Sequence, residues 1–233
     1  MDLDKLTYVM GRVAATAHTI DLPHVGRGFY GYQQVTLNTV QHLDQHFFDD
    51  PDKIARTMPV FAELAFAPLR HHVYGEHDKV GAWKPMYYNH ASRTAPASVN
   101  MSEFLRAHVD RDLAFALLET DTQPEHKDDY TAKMNTILSQ TGRELLPTYV
   151  EAKSFLKQLG IEKLGLSLVL RDLYKARDDA WEAFEELKEA DGDIHQINLI
   201  DERLRQKAAT GLLSGNKFAS YVIDKTTRVP QNS

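Results

Sequence analysis

The chain has 233 residues, with 33 acidic against 27 basic side chains for a formal charge of −6, and it has no cysteine. Disulfides, thiolate nucleophiles and cysteine-type zinc sites are therefore excluded, and a reducing compartment fits. At 42% hydrophobic and 26% charged the chain can bury one sizeable core, whereas its mixed, mildly acidic charge speaks against a nucleic-acid or anionic-membrane partner.

Taken from the start, Leu3, Leu6, Met10, Val13 and Ala17 recur at helical intervals, and Pro23, Gly26 and Gly28 then punctuate a loop. Residues 29–48 read as a second helix, with Tyr32, Val35, Thr36, Thr39, Leu43 and Phe47 along one side. His42 and His46 are spaced i, i+4 at the edge of that side, as a half-buried surface pair would be. Asp50-Pro51 is a helix start. The helix it opens carries Pro59 and Pro68, which predict two pieces joined by kinks. Between them VFAELAFA is apolar except for Glu63, a buried ligand or a boundary residue. His71, His72 and His77 come next. Adjacent histidines on a helix point about 100° apart, so this segment reads as an exposed polar loop. Residues 81–98 hold Trp83, Tyr87 and Tyr88 before TAPASVN, and read as an aromatic lid over a pocket that also takes Tyr32.

Residues 100–120, NMSEFLRAHVDRDLAFALLET, are the most informative stretch. At 100° per residue Met101, Phe104, Leu105, Phe115 and Ala116 form an apolar arc. His108 and Asp112 fall within it, Glu119 lies beside them, and Glu103, Arg106 and Asp110 face solvent. A helix that turns an imidazole and carboxylates toward its own core must pair them, protonate them or give them a metal. His108 and Asp112, four residues apart, reach the same point in space.

A further helix opens at residues 128–138 with Asn135 on its flank, and Gly142, Pro147 and Gly160 break up the chain beyond it. Leu166, Val169, Leu173, Ala176, Ala180, Trp181, Phe184 and Leu187 mark a long bundle helix. After the turn Asp191-Gly192-Asp193 another helix carries Ile194, Ile197, Leu204 and Ala208. Gly211 to Gly215 leads to a last short one, and the tail from Thr226 is polar. No alternating strand pattern and no internal repeat stand out. The expected fold is all-α: a single-domain multi-helix bundle over residues 1–225 with a disordered tail, 226–233. With no membrane-length apolar run, and with the non-basic start Met1-Asp2-Leu3-Asp4, a cytoplasmic protein is expected.

The order of these features resembles an uncharacterised, mainly bacterial all-helical family, a domain of unknown function with the hallmark Asn-Ala-His-Ile-Asn-x-Asp-Leu. The corresponding residues are Arg106, Ala107, His108, Val109, Asp110, Arg111, Asp112 and Leu113. The likeness spans about residues 30–140, from YQQVTLNTV, FFDDP and the VFAELAFAPL run to the downstream DDYTAKMNTIL. Both hallmark asparagines are replaced, by Arg106 and Asp110. The resemblance implies a helical fold and no established activity.

Three functions use the same residues. The first is a small-molecule enzyme of hydrolytic or oxidative type in which His108 and Asp112 hold zinc, iron or manganese, with further ligands from His42, His46, Glu63 or Glu119. In the second, His108 is a metal-free general base oriented by Asp112, with Asn135 or a tyrosine polarising the substrate. The third is a non-catalytic ligand-binding module whose His108–Asp112 pair is structural. GxGxxG, P-loop, GxSxG and HExxH motifs are absent from the sequence.

Overall fold

The computed structural model describes residues 2–88, 104–149 and 161–209. Among them the chain is 87% helical and without strands. The described helices, in order, are α1 (Leu3–Thr19), α2 (Pro23–Asp44), α3 (Pro51–Val73), α4 (Lys84–Tyr88), α5 (Leu113–Glu119), α6 (Met134–Tyr149), α7 (Ile161–Glu189) and α8 (Ile194–Ala209). Two π turns, His108–Asp112 and Asp129–Lys133, lead directly into α5 and α6. Local chemistry sets several of the starts. Asp2 and Asp50 accept the Lys5 and Lys53 amides at 2.8 and 2.9 Å, and Asp193 accepts that of His195 at 2.9 Å. The last short helix and the polar tail expected near the C-terminus lie outside the described residues, as does TAPASVN.

Several elements differ from what local signals predict. α2 begins at Pro23, so Gly26 and Gly28 lie inside a helix. They are small because neighbours press on them: a Cβ on Gly26 would come within 2.7 Å of the Ala14 carbonyl oxygen, and one on Gly28 within 2.1 Å of the Phe104 ring. α2 ends at Asp44, and His46 lies beyond it with φ of 54°. His42 and His46 therefore do not share a helix face. α3 is unbroken through Pro59 and Pro68, and α6 runs through Gly142 and Pro147. A proline forfeits one ladder hydrogen bond. In α3 the burial of Ala62, Ala65, Phe66 and Pro68 itself offsets that loss. Ile194, expected inside, is 74% exposed, while Ile200 and Leu204 face inward.

The apolar side chains gather in two clusters. One is built from α1, α2, α3 and residues 80–87, with Leu6, Met10, Phe29, Phe66, Trp83 and Phe104 at its centre. The other forms where α5, α6, α7 and α8 meet, around Leu113, Leu117, Ile137, Trp181, Phe184 and Leu204. Met58, Phe61 and Leu105 pack against both. Ala107 belongs to the first cluster and Val109 to the second, so His108 sits on the seam.

Packing of Phe104 on the α2 backbone makes a testable demand. Gly28→Ala should lower stability by about 1–3 kcal/mol, because neither ring nor backbone can retreat. Gly11→Ala should stay within about 1 kcal/mol of wild type, since its Cβ would meet only the movable end of Gln33. Denaturant titration of the two variants measures the difference.

Candidate functional site

The π turn decides what the central helix buries. Widening one turn to i, i+5 spacing inserts a residue and advances the downstream face by about 100°. Upstream of it Phe104, Ala107 and His108 point inward; downstream the inward positions are Leu113, Ala114, Ala116 and Leu117. An uninterrupted helix would have buried Phe115 and placed Glu119 at the core edge. Instead Phe115 is only partly buried and Glu119 is exposed, while Asp110, expected in solvent, is completely buried. Such turns are frequent at functional sites.

His108 is 1% exposed and Asp112 fully buried. The His108 Nδ1 donates to Asp112 Oδ2 at 3.2 Å, and the indole Nε1 of Trp83 donates to the same oxygen at 3.1 Å. The other oxygen, Oδ1, accepts from Arg111 Nη1 at 2.9 Å. Arg111 also donates through Nε to Asp201 at 2.6 Å, and Asp201 pairs with Arg205 at 2.6 Å. Asp112 thus accepts from three side chains. The imidazole lies flat on the Phe61 ring, with centroids 3.6 Å apart and planes 7° from parallel. Tyr32 meets it edge-on at 4.5 Å, and Trp83 lies 5.9 Å away.

Electrostatics keep this imidazole neutral. Burial pushes the His108 pKa below its ordinary value; the hydrogen bond and charge of Asp112 oppose that, and the buried cation of Arg177 reinforces it. With Nδ1–H committed to a carboxylate, Nε2 is left as a lone-pair acceptor. It is buried and has no hydrogen-bond partner among the described residues, and the same holds for the Tyr87 hydroxyl. Burial and then the charge of Asp112 raise the pKa values of Tyr32 and Tyr87, so both remain phenols. The site therefore offers a proton acceptor at Nε2 and phenol groups held in their neutral form.

The other residues singled out in the sequence are not brought to this pair. His42 binds the Asn38 carbonyl oxygen at 2.7 Å and packs on Phe47. His46 and Glu119 are exposed. Glu63 is exposed and paired with Arg70. Among the described residues no group of three or more His, Asp or Glu could hold a metal ion. Asn135 lines a separate groove of about 660 Å³ with Ser139, Arg143 and Tyr174, and among the described residues no hydrogen bond links it to His108 or Asp112. The expected aromatic lid is different in kind. Trp83 and Tyr87 are core, at 1% and 0% exposure, and only Tyr88, at 39%, reaches the surface.

Four further participants carry little signal in the sequence. Phe61 lies in the VFAELAFA run, where the charge of Glu63 is the more conspicuous feature. Arg111 is masked by its neighbour Asp112, and Asp201 has no local signal. Arg177 is 4% exposed and donates to the Tyr130 carbonyl oxygen, at 2.8 Å through Nε. Burial brings its pKa down to about 10. Its spacing of four residues from both Leu173 and Trp181 places it on the apolar stripe of α7, and that spacing is the signal that could have found it.

The protonation state is measurable. An unfolded histidine takes up a proton near its ordinary pKa of 6.5, whereas the folded imidazole refuses it until a lower pH. Between those values the unfolded state binds more protons, so stability falls as pH drops below about 6.5, by at most about 1.4 kcal/mol per pH unit. Subtracting the pH–stability curve of His108→Gln from that of wild type should isolate this slope; identical curves would show that His108 titrates normally.

No described helix is long and apolar enough to cross a membrane. No curated protein and no solved structure matches the chain. One family model does match, over residues 9–213, and the chain accordingly belongs to DUF5995, a family of unknown function.

Proposed function

We propose that the chain is a small-molecule enzyme in which His108 acts as a metal-free general base oriented by Asp112. The observation that carries this is the Nε2 atom: buried, unpartnered among the described residues and basic, on a ring whose other nitrogen is tied to a carboxylate. Most buried acceptors in folded proteins are satisfied, and a neutral imidazole fixed in one tautomer is poised to accept a proton. Asp112 would stabilise the imidazolium formed during the reaction. Phe61, Tyr32 and Trp83 pack around the imidazole, and such apolar surroundings favour a substrate with a planar or apolar part. Tyr32 and Tyr87, held as phenols, are the candidates to donate a hydrogen bond to developing negative charge.

Zinc, iron or manganese at Nε2 would lack Asp112 as a second ligand, because that carboxylate binds the ring's other nitrogen, Nδ1. Arg106 and Asp110, which stand where the resembled hallmark has asparagines, pair with each other at 3.1 Å. A non-catalytic ligand-binding module is favoured by one observation: Asp112 is bonded so fully that the pair also holds the fold.

The test is turnover of a panel of aryl ester, amide and phosphodiester substrates by wild type and by His108→Gln. A loss of about 10²-fold or more in a variant that still melts cooperatively supports the base. Turnover that His108→Gln retains removes it, and ligands that stabilise both proteins equally without turnover move the assignment to the binding module. The metal alternative has its own check. Added zinc or manganese should shift the melting temperature of wild type and His108→Gln by the same amount, whereas a response that vanishes in the variant would return the ion to this pair.

A further inference from the structure

The sequence sets three histidines around a reversal of the chain, and the structure sorts them. His71 and His72 sit in the last turn of α3 and diverge, His71 to Glu76 at 2.5 Å and His72 to Tyr88. Gly75, with φ of +74°, lets the chain turn back. His77 then enters a short 3-10 turn beside His72. The Nδ1 of His72 lies 2.9 Å from the Tyr88 hydroxyl oxygen, and the Nδ1 of His77 contacts the same oxygen. The two rings are 6.4 Å apart between centroids.

Two imidazole nitrogens and one phenol oxygen therefore converge on a single point at the surface. A phenol has one proton, so it can donate to only one of the two nitrogens; the other ring must supply its own proton. A cation removes that requirement, because both nitrogens can then present lone pairs together. His77 and Tyr88 are exposed and His72 is partly buried, so the rotations needed are those of surface side chains. We propose that His72, His77 and Tyr88 form a binding site for a divalent ion that prefers imidazole, of the zinc, nickel and copper class. The phenol oxygen either remains as the third ligand or gives way to water.

With the phenol oxygen retained as third ligand, the ion would clamp the end of α4 to the end of α3. That clamp has a path to the buried pair. The His72 ring stacks on Tyr87 at 4.7 Å with planes 12° apart, Tyr87 stacks on Trp83 at 6.4 Å, and Trp83 holds Asp112. This site is independent of the assignment of His108 as a base.

Calorimetric titration of untagged protein with Zn²⁺ and Ni²⁺ tests it. The expected result is one saturable equivalent, weakened at least about tenfold in His72→Ala and in His77→Ala. His126→Ala, which removes a histidine placed against Asp50 at 3.6 Å, should bind as wild type does. Circular dichroism confirms that the surface variants remain folded. Ion binding should also raise the melting temperature of wild type and of His108→Gln but of neither His72→Ala nor His77→Ala. Absence of saturable binding, or binding that both site variants keep, overturns the proposal.

Discussion

A carboxylate with no exposure to water has to be surrounded by donors, and Asp112 imposes that condition on the rest of the molecule. Its three donors come from different places: Trp83 from the turn before α4, His108 from the other end of the π turn, and Arg111 from the adjacent position. Arg111 extends the network to Asp201 on α8, and its guanidinium also covers the Phe115 ring at 4.7 Å. Removing one partner from such a set leaves a buried charge without compensation, which is far more costly than never having placed it there. Segments distant in sequence are thereby fixed around one side chain, and the imidazole is held with them.

The same requirement is met at the second π turn, with a different outcome. Asp129 is 1% exposed and accepts the amides of Asp49 and Asp50 at 2.9 Å each, with Lys133 at 2.9 Å. Burial opposes its ionisation, but these donors lower its pKa overall. Both carboxylate oxygens are engaged, and the group serves to join the start of α3 to the start of α6. The contrast separates the two turns. At Asp129 the donors and acceptors match within the fold, whereas around Asp112 the His108 Nε2 and the Tyr87 hydroxyl remain without a partner among the described residues.

The helical class could be read from periodicity because most apolar positions repeat at a spacing that only a helix brings to one side. The pairing of His108 with Asp112 could be read for the same reason, since four residues along a helix is a short distance. Features that depend on tertiary packing could not. Pro59, Pro68 and Pro147 look like breaks in isolation but are tolerated within longer helices. Gly26 and Gly28 look like a loop until α1 and Phe104 press on them. Glu63 stands out as the single charge in an apolar run, yet it lies on the outer face, paired with Arg70. Glu119 departs from its expected face because of the residue inserted at the π turn, and Asp110 because α7 and α8 pack over that turn. His72 and His77 meet only because Gly75 reverses the chain between them, a geometry that helical spacing cannot express.

That inserted residue makes the central helix two helices of different phase that share one axis. The upstream part keeps its register with α1, α2 and α3, the downstream part with α6, α7 and α8, and the boundary between phases falls on the residues that hold the imidazole. Drawn into an ordinary helix at its present length, the segment would turn Glu119 toward the core and Leu117 toward water. The wide turn is thus what fits a chain of this length to its surroundings: by absorbing one residue it lets the two cores be filled together.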